Sequence, residues 1–142
     1  MSSQLATLNA WVDAVARLTE CNRIHWCDGS VEERDALTRL MVERGDLIPL
    51  NADTHPDCHL HRSHPSDVAR VEHLTYVCTR DPVDAGPNNH WMDPDEAHAM
   101  IDALFAGSMR GRTLYVVPYC MGPIDSPFAR CGVEITDSPY VV

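Results

Sequence analysis

A chain of 142 residues, 44% hydrophobic and 23% charged, is long enough for one domain with a real core. Lys+Arg is 11, all of it arginine, against 21 acidic residues, and the formal net charge of -10 argues against a nucleic-acid partner. No apolar run approaches membrane-spanning length, no signal-like segment stands at the start, and the lack of lysine excludes Schiff-base chemistry on that side chain.

Residues 8–20 place Leu8, Trp11, Val12, Val15 and Leu18 on one face of a predicted helix, with Asn22 as its stop. Ile24–Cys27 reads as a short strand closed by Asp28-Gly29. Ser30 opens a capping box with Glu33, so a helix is expected from Val31 to about Glu43, with Leu37, Leu40 and Met41 inward and Gly45 as its left-handed end. Leu47–Leu50 is a short extended piece, and residues 51–67 read as a polar loop. Leu74–Cys78 is rich in aromatic and β-branched side chains and predicts a strand, followed by a loop over 79–92.

Asp93 and Pro94 mark the start of the next helix, whose apolar face is expected from Met100, Ile101, Leu104 and Phe105, with Gly107 as its end. Thr113–Val117 is continuously apolar, which predicts a central strand covered on both faces. A turn-rich loop leads to a second late strand over Gly132–Thr136. Tyr140–Val142 ends the chain on apolar residues, which gives the expectation of a cut inside a larger structure, with a docked terminal strand as the plainer alternative. The expected fold class is α/β (mixed α+β), a mixed sheet with flanking helices.

Four places carry candidate chemistry. His55, Cys58, His59, His61 and His64 are zinc-ligand types crowded in one loop, but they lack a paired spacing, so a solvated histidine-rich loop is the plainer reading. Arg70 and Glu72 stand two apart; in extended backbone they would share a face, with the arginine offering a rigid fork to a carboxylate or phosphate and the glutamate fixing its aim. The alternative is a plain surface pair. Arg110-Gly111-Arg112 reads as a phosphate site or, more simply, as partners for acidic loops and a helix end. The run 118–127 lacks the lysine and hydroxyl of a Walker loop. Cys120 has no neighbouring base to make it a nucleophile, and the six cysteines, with no CxxC pair, are expected to be reduced thiols of a cytoplasmic protein. Asp28, Asp93, Asp95, Asp125 and Asp137 fall at caps and turns and form no carboxylate set for magnesium.

The strings IHWCDGS at 24–30, SDVARVE at 66–72, AGPNNHWMDP at 85–94, MRGRTLYVVPYCMGPIDSP at 109–127 and GVEITDSPYVV at 132–142 together resemble the N-terminal domain of GTP-dependent phosphoenolpyruvate carboxykinases. The resemblance implies one truncated domain over 1–142 that packs on a larger, C-terminal nucleotide-binding domain. It implies conversion of oxaloacetate and GTP to phosphoenolpyruvate, carbon dioxide and GDP in gluconeogenesis by a monomeric enzyme. Arg70 matches the family's substrate-carboxylate arginine, and Glu72 its acidic neighbour in a mobile loop. The family's P-loop, metal-binding lysine, histidine and aspartate, and guanine pocket lie beyond residue 142. Mn2+ or Mg2+ and GTP are therefore expected in the complete enzyme and not on this stretch, which holds no complete catalytic set. Tyr119, Cys120 and His90 depart from the commoner family residues. The alternative is a freestanding, non-enzymatic domain that binds a small anion or a protein.

Overall fold

The computed structural model describes residues 4–64 and 71–142. Its centre is a three-stranded sheet of β1 (Arg23–Trp26), β6 (Thr113–Met121) and β7 (Arg130–Thr136), in the order β1-β6-β7. β1 runs parallel to β6, with Ile24 opposite Leu114 and Trp26 opposite Val116. β7 folds back antiparallel, with Val116 opposite Ile135 and Cys120 opposite Cys131. The long stretch between β1 and β6 carries two helices and two small two-stranded pairings: β2 (Ile48–Pro49) with β3 (His59–Leu60), and β4 (Tyr76–Val77) with β5 (His90–Trp91). The mixed α/β class expected from the sequence is the one observed.

The first half of β6 is sealed on both faces. Leu114, Tyr115 and Val116 are 0%, 2% and 0% exposed, and successive strand residues point to opposite sides. Leu114 and Val116 pack with Val12 and Met109, joined by Leu8, Val15 and Ala16 of α1 (Ala6–Thr19) and by Val133 and Ile135 of β7. Tyr115 points the other way and meets the His25 ring edge-on, with 5.5 Å between ring centroids. That is the side to which α2 (Val31–Arg44) is tied, through a hydrogen bond of Glu33 to His25.

Most local signals act as read. Ser30 caps α2, its hydroxyl accepting the Glu33 N–H at 3.1 Å. Gly45 takes the left-handed conformation at φ 80° and returns its N–H to the carbonyls of Met41 and Val42. The Asp93 carboxylate accepts the N–H groups of Asp95 and Glu96 at the start of α3 (Pro94–Phe105). The stop of α1 is Glu20, left-handed at φ 53°, rather than Asn22. The open carbonyls of Leu18 and Thr19 are met by the N–H groups of Gly107 and Met109, at 2.9 Å each. The Asn22 side chain accepts the Gly111 N–H at 2.5 Å, and the Asn22 N–H bonds the Arg112 carbonyl. The link from α3 to β6 is thereby stitched onto the end of α1.

Five expectations are corrected. The reciprocal half of the capping box is not made: the Ser30 N–H goes to Asp28 at 2.8 Å, because Glu33 is engaged elsewhere. The predicted strand over Leu74–Cys78 shrinks to Tyr76–Val77, since Glu72–Leu74 winds into a 3-10 turn. The loops predicted over 51–67 and 79–92 contain β3 and β5. On α3 only Ala97 is buried, while Met100, Ile101, Leu104 and Phe105 are 45%, 42%, 75% and 50% exposed. Trp11, expected inward on α1, is likewise exposed.

Candidate functional site

Strand alternation puts the side chains of His25 and Cys27 on the same side of the sheet. Glu33, in the first turn of α2, reaches back to them. Its Oε1 lies 2.6 Å from His25 Nε2. Its Oε2 accepts the N–H groups of Asp28 and Gly29 at 3.0 and 2.9 Å. The short contact to an ionised carboxylate means that His25 carries its hydrogen on Nε2 and donates it. Burial works against the charge on Glu33, whose side chain is only 8% exposed, yet the three donated hydrogen bonds outweigh it and hold the carboxyl below its ordinary value. Cys27 stands beside this anion. Burial, the Glu33 charge and hydrogen bond, and Asp28 push its thiol up to about 11. It is a protonated, unreactive thiol at neutral pH.

His25, Cys27 and Glu33 place their ligand atoms within 4.8 Å of one another, the one such group among the described residues. Its chemistry does not suit Mg2+ or Mn2+, which favour several oxygen ligands. It offers one carboxylate, both of whose oxygens already accept hydrogen bonds, beside a thiol and an imidazole. The arrangement works as a latch joining the end of β1, the Asp28-Gly29 turn and the start of α2. Sequence reading saw Glu33 only as a cap. The signal that could have revealed the latch is the i, i+2 spacing of His25 and Cys27 on a strand directly ahead of it.

Two of the loop histidines, His55 and His61, go to separate partners. His61 Nδ1 meets the Asp46 carbonyl at 2.8 Å while its ring stacks on Tyr140, and His55 Nδ1 bonds the Thr54 hydroxyl. The two arginines around Gly111 also have partners. Arg110 grips Glu20 with two bonds of 2.6 and 2.7 Å, and Arg112 pairs with Asp137. These are exposed pairs worth little stability, and they support the plainer of the two readings. Arg112, Asp137, Tyr115 and Arg44 line a polar cleft of about 330 Å³.

Arg70, the leading substrate-binding candidate, lies outside the described residues. Glu72 is exposed and opens the 3-10 turn Glu72–Leu74, so its own backbone is not the extended one that would align i with i+2. The turn closes locally: the Thr75 N–H bonds the Glu72 carbonyl, and the Thr75 hydroxyl bonds that of Val71 at 3.1 Å. No helix among the described residues is long and apolar enough to cross a membrane.

Comparison with known proteins defines the class. The family described as "Phosphoenolpyruvate carboxykinase N-terminal domain" matches residues 10–142, and the chain belongs to that family. Among similar proteins, the phosphoenolpyruvate carboxykinase [GTP] of Anaeromyxobacter dehalogenans (strain 2CP-C) is 57% identical over 134 residues, covering 94% of this chain and 22% of the relative. That of Chlamydia abortus is 55% identical over 135 residues, covering 95% and 22%. That of Chlamydia trachomatis serovar D is 52% identical over 135 residues, with the same coverage. The chain thus spans about a fifth of the length of these relatives.

Proposed function

We propose that the 142 residues form the substrate-side, N-terminal part of a GTP-dependent phosphoenolpyruvate carboxykinase. The complete enzyme, on this reading, is a cytoplasmic monomer that converts oxaloacetate and GTP to phosphoenolpyruvate, carbon dioxide and GDP in gluconeogenesis. The observation that carries the reading is 57% identity sustained over 134 residues, an alignment long enough to run through the SDVARVE segment.

Arg70 is proposed to bind the substrate carboxylate. A guanidinium suits that task because it keeps its charge and offers two parallel donors to a planar anion. Glu72 is proposed to support that loop, holding the arginine ready or coupling it to closure over substrate. Mn2+ or Mg2+ and GTP belong to the remainder of the enzyme, since the one ligand cluster among the described residues does not suit a hard cation. Phosphoryl transfer needs metal and aligned oxygens together, so this stretch by itself is expected to be inactive.

The exposed face of α3 fits the same reading. Met100, Ile101, Leu104 and Phe105 form a contiguous apolar stripe of the kind that marks an interface. Its proposed occupant is the remainder of the carboxykinase chain, some four-fifths of the relatives' length.

A coupled assay with oxaloacetate, GTP and Mn2+ tests the proposal. The full-length protein should form phosphoenolpyruvate and the 142-residue chain should not. Product from the short chain alone, or none from the full-length protein, would overturn it.

A further inference from the structure

The two late strands carry a pair of thiols that the proposed reaction does not use. Cys120 of β6 and Cys131 of β7 are direct partners in the antiparallel register. Opposed residues in such a pair have Cα atoms about 4.5–5.5 Å apart and side chains on the same face. That separation falls inside the range of about 4.4–6.8 Å that a disulfide requires. Cys120 donates to the Gly122 carbonyl at 3.6 Å, which holds its side chain at the open end of the hairpin. Cys131 is exposed and Cys120 half-buried, so oxidant reaches the pair from the Cys131 side.

The surroundings favour this pair over every other. All six cysteines are free thiols. Cys27 is held protonated beside Glu33. Cys21 packs against the core at the far end of the sheet. Cys58 and Cys78 are exposed, and neither stands opposite another cysteine in a strand register.

We propose that Cys120 and Cys131 form a reversible disulfide-forming site, oxidised by a hydroperoxide, that ties the mouth of the β6–β7 hairpin and restrains the loop over 122–129. The exposed Cys131 thiol gives up its proton and its sulfur attacks the peroxide O–O bond; the bond breaks, leaving a sulfenic acid, and the departing oxygen takes up that proton and leaves as an alcohol, or as water from hydrogen peroxide. The Cys120 sulfur then attacks the sulfenic sulfur; the S–S bond forms as the S–O bond breaks, and a second water leaves with the Cys120 proton. Two thiols are oxidised and one peroxide is reduced. Burial and the adjacent Cys131 raise the Cys120 thiol above its ordinary value, in keeping with Cys131 reacting first. The bond encloses residues 121–130 and so holds a loop whose Ile124 and Phe128 are 83% and 82% exposed.

The test is treatment of the full-length protein with hydrogen peroxide, blocking of the remaining thiols, and peptide mapping by mass spectrometry without reduction. The expected result is one dominant intramolecular crosslink joining the Cys120 and Cys131 peptides, lighter by two hydrogens and reversed by dithiothreitol. Cys120→Ser and Cys131→Ser should each abolish it, while Cys58→Ser with Cys78→Ser leaves it intact. Phenylarsine oxide, which bridges neighbouring thiols, should protect both cysteines from alkylation in the wild type and in neither single variant. Crosslinks spread over other cysteine pairs, or separate adducts on Cys120 and Cys131 without a bond between them, would overturn the proposal.

Discussion

Removing the Glu33 side chain tests the latch at the head of α2. Glu33→Ala deletes the acceptor for His25 and for the Asp28 and Gly29 N–H groups. A hydrogen bond to a charged group contributes about 1.5–3 kcal/mol, but the two backbone donors lie at the surface, where water replaces the lost carboxylate at little cost. A net loss of about 2 kcal/mol follows, equivalent to roughly a 30-fold rise in local opening. Glu33→Gln keeps one acceptor oxygen and the shape but loses the charge, so about 1 kcal/mol, or roughly fivefold, is expected. Hydrogen exchange read by mass spectrometry over residues 27–37 of the full-length protein measures both, with β6 as the unaffected reference. The pH dependence has a defined sign. Folding lowers the Glu33 pKa from its ordinary 4.5, so its contribution is fully present above that value and is lost as pH falls through the lower, folded one. The acid-induced loss of protection in this window should be absent from Glu33→Gln. Exchange over 27–37 that is unchanged in Glu33→Ala would refute the latch.

Other outcomes follow from single observations. Leu114→Ala, at a fully buried position in the central strand, should cost about 2–5 kcal/mol, read as a lower denaturant midpoint. Asp93→Ala removes the acceptor for two N–H groups of α3 and should cost about 0.5–2 kcal/mol, seen as faster exchange over 94–98. In alkylation with iodoacetamide near neutral pH, the exposed Cys58, Cys78 and Cys131 should react well ahead of Cys27, whose thiol is pushed up to about 11; comparable rates would contradict the position of Cys27 beside the Glu33 anion. Leu104→Asp should leave exchange within the β1-β6-β7 sheet unchanged but expose the α3 region of the full-length enzyme to protease, if the apolar stripe meets the rest of that chain.

Much of the fold was legible because its signals are local. Ser30, Gly45, and Asp93 before Pro94 each act through bonds within a few residues, and each acts as its residue type dictates. The unbroken apolar run at Leu114–Val116 correctly announced a strand covered on both faces. What was missed depends on distant partners. β3 and β5 are two-residue pairings with partners 10 to 12 and 14 residues back in the chain, and they leave no periodic trace. The α3 stripe shows the opposite limit: helical spacing says that a face is apolar, not what covers it, and nothing among the described residues does so at Leu104. At the site, the sequence pointed to Arg70 through its spacing from Glu72 and, more sharply, through family resemblance, and Glu72 proves to sit in a 3-10 turn. The His25–Cys27–Glu33 grouping depends on a helix start folding back on a strand, for which the i, i+2 spacing of His25 and Cys27 ahead of Glu33 is the one linear trace.

The central claim is that residue 70 of this chain holds the substrate carboxylate while the rest of the enzyme performs the transfer. Its most direct measurement is the kcat/KM of full-length Arg70→Ala for oxaloacetate with saturating GTP and Mn2+. Loss of a charge-assisted contact of about 1.5–3 kcal/mol corresponds to a fall of roughly 10- to 150-fold, with nucleotide affinity unchanged. A variant with wild-type kcat/KM would contradict the account.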